Sequence, residues 1–211
     1  MEWETGLLIL STTNLMIILS IMVFLFIRTT SSRFSRRHLL FSQLGLLGML
    51  MGSSLGFAFV IQPSDVTCVA IRLGTGLSYV LIYASIMVKQ VFLMALSTGI
   101  YLPVLYQILL FSFCVLVQIV ISFQWLVMVP LCQFNSQDHI LSLFYIFFLV
   151  FFITMISIRS LGMKNRSRQS SSICLLMIIT ISSWIIWMIA GSLLPTIYHN
   201  AAFGKNNIES I

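Results

Sequence analysis

Six long apolar stretches divide this chain, and its charged residues are sorted between the segments that join them. All five acidic residues, Glu2, Glu4, Asp65, Asp138 and Glu209, fall in one alternating set of segments. Arg28, Arg33, Arg36, Arg37, Lys89, Arg159, Lys164, Arg166 and Arg168 fall in the other. A helix needs about 20 apolar residues to cross a bilayer core. Short loops rich in Lys and Arg stay in the cytoplasm, which places the acidic set outside and the basic set inside. The pattern predicts an all-α fold: a polytopic transmembrane helix bundle of six spans with its N-terminus outside.

Composition agrees with lipid as the solvent. The chain is 59% hydrophobic and only 8% charged, whereas a soluble domain carries about 25% charged residues. The net charge of +6 raises nucleic acid as a partner, but the bases are spread over two juxtamembrane loops and form no single stripe. Contact with lipid headgroups is the reading adopted, and nucleic acid is excluded. The residues ahead of the first apolar stretch are acidic, and no small-residue cleavage site follows it, so the first span reads as an uncleaved anchor. A multi-pass protein of the plasma membrane is expected.

The expected spans cover residues 7–27, 39–61, 68–96, 104–129, 141–158 and 173–194 of a single transmembrane domain, 1–211. Residues 196–211 form a polar outside tail. Gly45, Gly48, Gly52 and Gly56 recur every three or four residues, which puts them along one helical face where a neighbour can pack closely. Phe144, Phe147, Phe148, Phe151 and Phe152 crowd the fifth span and predict a lipid-facing aromatic wall. No internal repeat of the inverted transporter kind is visible.

Enzymatic chemistry finds little to work with. There is no glycine-rich phosphate loop and no His-Glu-x-x-His, and no carboxylate inside a span for acid/base work. No catalytic residue, cofactor or metal site is predicted. His139, His199 and Cys132 share the outside but read as lone loop residues. Arg72 and Lys89 lie near the ends of the third span, where their stems reach the interface; this weighs against ion-coupled transport. Cys114 and Cys174 read as small buried hydrophobes. Cys68 and Cys132 face the oxidising compartment, either bridged over the bundle or as two free thiols. The segment 166–172 suits a basophilic kinase or a solvated linker.

The run Pro63-Ser64-Asp65-Val66-Thr67-Cys68, followed by Arg72, Gly74, Gly76-Leu77-Ser78, Tyr83 and Lys89, resembles the third span of class C G-protein-coupled receptors. It is similar to the metabotropic glutamate receptors without a gap. Trp184-Ile185-Ile186-Trp187 followed by Pro195 resembles the family's aromatic-rich sixth helix. The short outer segments look more like the bride-of-sevenless and retinoic-acid-induced orphan branch. The resemblance implies a disulfide between Cys68 and Cys132. It also implies a transmembrane ligand pocket lined by Tyr83 and Trp187, for which aromatic core packing is the rival, and a cytoplasmic switch at Lys89.

The chain also departs from that pattern. No Asp or Glu lies between Arg159 and Pro195, so Lys89 lacks the acidic partner the family places on its sixth helix. Val91, Phe92, Leu93 and Met94 stand where further bases follow the lysine. The large amino-terminal ligand domain and the seventh helix are absent from these residues, and a receptor fragment is expected. Three functions are weighed: a receptor bundle that signals by rearrangement around spans three and six, a non-signalling cell-surface interaction protein, and a small transporter. Expected partners are the lipid bilayer, a heterotrimeric G protein, a second copy of the chain and an unnamed ligand.

Overall fold

The computed structural model describes residues 2–31, 36–58, 65–128, 136–161, 170–186 and 189, and every structural statement concerns these. Six helices run through them: α1 (Glu2–Ser31), α2 (Arg36–Ala58), α3 (Asp65–Ser97), α4 (Val104–Met128), α5 (Ser136–Leu161) and α6 (Ser170–Ile186). No strand occurs among them. The expected all-α bundle is the fold observed.

Helix is the local answer because the apolar runs contain no breaker. No described helix contains a proline, and Pro103 lies in the turn ahead of α4, where a missing N–H costs no intrahelical bond. Five helices are long and apolar enough to cross a membrane: Leu8–Ile27, Leu40–Ala58, Val66–Ser97, Val104–Val127 and Phe144–Leu161. The described part of α6 is apolar but shorter, and most of the remainder of the expected sixth span lies outside the described residues.

The α3–α4 connection shows why one junction is so tight. Gly99 sits at φ 76°, a left-handed conformation that a Cβ disfavours. Its N–H bonds Leu96 O at 3.1 Å and the Ile100 N–H bonds Ala95 O at 3.0 Å. This pair of bonds is a Schellman motif, which satisfies carbonyls left over at the helix end. Pro103 then precedes α4 directly.

α3 is the axis of the bundle. Of its apolar span 44% is buried, against 6% for α1, and it packs against α2, α4 and α5. Val80, Tyr83, Ala84 and Met87 of α3 form a core with Cys114 of α4, Ile146, Leu149, Val150 and Ile153 of α5, and Met177 of α6. α1 packs on α2 at the periphery. The five phenylalanines of α5 all point outward, while Ile146, Leu149, Val150 and Ile153 point in, so the lipid-facing wall stands as read. Cys114 and Cys174 are buried free thiols, as expected.

The glycine face of α2 is divided between two neighbours. A Cβ on Gly48 would meet Leu81 Cβ and the Ser78 carbonyl oxygen, each at 2.8 Å. On Gly45 it would meet Ser85 Oγ at 2.5 Å, and on Gly52 nothing closer than 3.6 Å. Gly56 faces Ser11 of α1 instead. Without a hydrophobic force between helices in lipid, such close backbone approach supplies the packing energy. Gly48→Ala should therefore lower stability by about 1–3 kcal/mol, since the obstacle is backbone and cannot rotate away. Gly52→Ala should be neutral or gain up to about 1 kcal/mol of helix propensity. Unfolding titrations of the two variants in micelles check the contrast.

Candidate functional site

Two layers join α3 to its neighbours, one aromatic and one polar. In the aromatic layer Tyr79 and Tyr83, one helical turn apart, stack with ring centroids 6.4 Å apart and planes 17° from parallel. Trp184 of α6 meets Tyr79 edge-on at 5.7 Å and 68°. Such edge-to-face pairs contribute about 0.5–1.5 kcal/mol beyond area burial. Tyr83 is buried in the core, and it lines neither of the two large cavities found among the described residues. Tyr79, one turn earlier, does line one. That cavity, about 630 Å³ between α1, α2 and α3, carries Ser11, Thr13, Asn14, Ser53, Thr75 and Ser78 on its walls. Asn14 Nδ2 donates to Ser53 Oγ at 2.8 Å across it.

The polar layer lies further along α3, toward its C-terminal end. Lys89 Nζ donates to Ser42 Oγ of α2. The next residue, Gln90, is turned about 100° around the helix and serves other neighbours. Its Nε2 donates to Ser170 Oγ of α6 at 2.9 Å, and Ser170 Oγ shares a hydrogen bond of 2.7 Å with Ser160 Oγ of α5. Gln90, Ser160 and Ser170 are all buried. One neutral chain of bonds thus ties α3, α6 and α5 together. Gln90 Oε1 and Ser157 Oγ, also buried, have no partner; polar groups left so inside a protein usually mark a water or a functional strain.

The site residues read from sequence are therefore placed unevenly. Lys89 is half-buried and bonded to α2, while the α3–α6 link that the family pattern assigns to the lysine is made by Gln90. Cys68 is buried at the other end of α3 and is disulfide-bonded. Cys132, Trp187 and His199 lie outside the described residues, as does the His139 side chain. Ser170, within the segment read as a kinase target or linker, is buried in the polar layer. Gln90, Ser157 and Ser160 are uncharged and match no motif, so they do not stand out in the sequence, and Ser170 stands out there only as part of that segment. The signal was present all the same: an uncharged amide in an apolar span must find a partner inside the protein.

A family model described as "7 transmembrane sweet-taste receptor of 3 GCPR" matches residues 1–203. No curated protein matches the chain.

The Gln90–Ser170 bond invites a double-mutant cycle. Gln90→Leu and Ser170→Ala should couple by about 0.6 kcal/mol, the average for such bonds between membrane helices. Denaturant unfolding of the two single variants and the double variant measures that coupling.

Proposed function

We propose, from the premise that the chain belongs to the seven-transmembrane domain family of class C G-protein-coupled receptors, that it signals by rearrangement of α6 against α3. The membrane-embedded receptor bundle is the family's architecture. The switch within it is the reading offered here.

The observation that carries the reading is the double link between α3 and α6. At one level Tyr79 holds Trp184 edge-on, and at the other Gln90 holds Ser170 by a single neutral hydrogen bond. A ligand shifts a bundle only by its unequal affinity for two arrangements. A ligand at the aromatic level, with Tyr83 and Trp187 as its expected contacts, would have to draw Tyr83 out of the core and would so act on the upper link. A neutral bond is a weak lower latch: losing about 0.6 kcal/mol changes the equilibrium about threefold. In this orientation Lys89 and the basic segments face the cytoplasm, the N-terminus is outside, and the chain resides in the plasma membrane. A heterotrimeric G protein and a second copy of the chain are the partners proposed.

The outer end supports a second element. The disulfide of Cys68 is assigned to Cys132, the cysteine on the same side of the membrane by the charge sorting, so that the segment after α4 is tied to the start of α3. Peptide mapping without reductant should recover Cys68 and Cys132 as one linked pair. Recovery of both as free thiols removes the tie.

A second reading has its own observation. Lys89 finds a serine and no carboxylate, and apolar Val91, Phe92, Leu93 and Met94 follow where a G protein would look for charge. A cell-surface interaction protein that no longer signals would tolerate both. Co-expression with a panel of G proteins separates the two. The receptor reading expects basal nucleotide exchange with at least one of them, raised about threefold by Gln90→Leu as the latch is lost. Silence in every combination, with normal surface delivery, favours the interaction protein.

A further inference from the structure

We propose that one buried water molecule binds between α3 and α5, donating to Gln90 Oε1 and accepting from the Ser157 hydroxyl. Both side chains are fully buried, and neither atom has a hydrogen-bond partner among the described residues. Ser157 differs in this from its neighbour on the same helix. Thr154, three residues earlier, donates from Oγ1 to Val150 O at 2.8 Å, the bond back to the preceding turn that a hydroxyl on a helix commonly makes. Ser157 makes no such bond, so its hydroxyl is left to serve a group across the helix interface.

The register of the two helices brings the pair to one level. The inward positions of α3 are Val80, Tyr83, Ala84 and Met87, and those of α5 are Ile146, Leu149, Val150 and Ile153. Gln90 follows Met87 by three residues and Ser157 follows Ile153 by four, so each continues its stripe. The two packed stripes run in the same direction, because the Gln90–Ser170–Ser160 chain joins them near their C-terminal ends. Ser157 lies one turn before Ser160, on the side of the core. The Gln90 side chain leans the same way, since helical side chains tilt toward the N-terminus. Its Nε2 is committed to Ser170 of α6, which leaves Oε1 as the end of the amide for α5.

The chemistry of the two atoms identifies the occupant. Oε1 can only accept, and a molecule that donates to it must also take the Ser157 proton. A cation finds no carboxylate here: none occurs in α3 after Asp65, or in α5 and α6 after Asp138. The nearest charges in sequence, Lys89 and Arg159, are positive. An ion buried without a counter-charge is costly, and an anion would face the carbonyl oxygen of Gln90. A neutral donor and acceptor small enough for a fully buried site is water. The protein thus satisfies half of the Gln90 amide, and a molecule free to exchange satisfies the rest. The site rests on the packing of this layer and holds whether or not the bundle signals.

Reversible unfolding of the full chain in micelles, with and without Ser157→Ala, gives opposite signs for a wet and a dry site. Removing a satisfied buried hydroxyl weakens a fold, whereas removing an unsatisfied one does not. Ser157→Ala should raise the unfolding constant about threefold, the size of an average hydrogen bond between membrane helices. In a Gln90→Leu background the same substitution should leave the constant unchanged or lower it, because the water has already lost its other anchor. A constant unchanged or lowered by Ser157→Ala in the wild type overturns the proposal. So does an equal rise in both backgrounds, which would separate Ser157 from Gln90. Replacing sodium by choline should alter neither result; a wild type stabilised by sodium, beside a Ser157→Ala variant that is not, would put a cation in place of the water. A crystal structure grown from a lipidic mesophase, at a resolution that shows ordered water, should place one within hydrogen-bond distance of both atoms. A direct Ser157–Gln90 bond, or no density between them, rules the water out.

Discussion

The close approach of α2 to α3 at Gly48 sets the geometry that the remaining helices follow. Hydrocarbon offers no hydrogen bonds and no hydrophobic force between helices, so a bundle in lipid rests on internal backbone bonding and tight van der Waals fit. Gly48 lies over the Ser78 carbonyl and Leu81, and this contact fixes the depth of α2 against the axis. With that depth set, Lys89 reaches Ser42 and Asn14 reaches Ser53. The same fit leaves Tyr79 on a cavity wall while Tyr83 goes into the core.

Polar groups then determine which contacts are specific. Gln118 on α4 shows the pattern away from the α3–α6 links: its Nε2 donates to Ser122 at 3.1 Å, its amide lies against Gly76 of α3, and its Oε1 is buried with no partner. Gln90 repeats this arrangement, with one end of the amide bonded and the other bare. Two amides at different levels of α3, each half satisfied, leave the axis helix held by bonds that cost little to exchange. A fully satisfied buried network would hold α3 more rigidly.

The large features were legible in the residues. Sorted charges and apolar lengths gave the helix count and the all-α bundle, because both report directly on the solvent. The stripe Gly45, Gly48, Gly52, Gly56 was legible as a packing face, and so was the outward wall of phenylalanines on α5. The split of the glycine stripe between α3 and α1 was not, since a helical face does not name its neighbour. The site was harder. Tyr83 and Lys89 stand out in the sequence because they match a motif, whereas Tyr79 and Gln90 gain their places only from tertiary contact. A residue one turn or one position away points at a different helix, and spacing alone does not say which.

The missing carboxylate on α6 connects the charge sorting to the switch. If every acid is kept at one end of the bundle, no acid remains to pair with Lys89 at the other, and a link between α3 and α6 there has to be neutral. The Gln90–Ser170 bond meets that requirement. It also avoids the desolvation cost of burying an ion pair, which often cancels the attraction gained. The outcome is an end of the bundle that is uniformly positive at its rim and neutral in its interior. The buried latch stays insensitive to charge at that rim because it carries none. Orientation in the membrane and the strength of the α3–α6 latch thus follow from the same placement of five acidic residues.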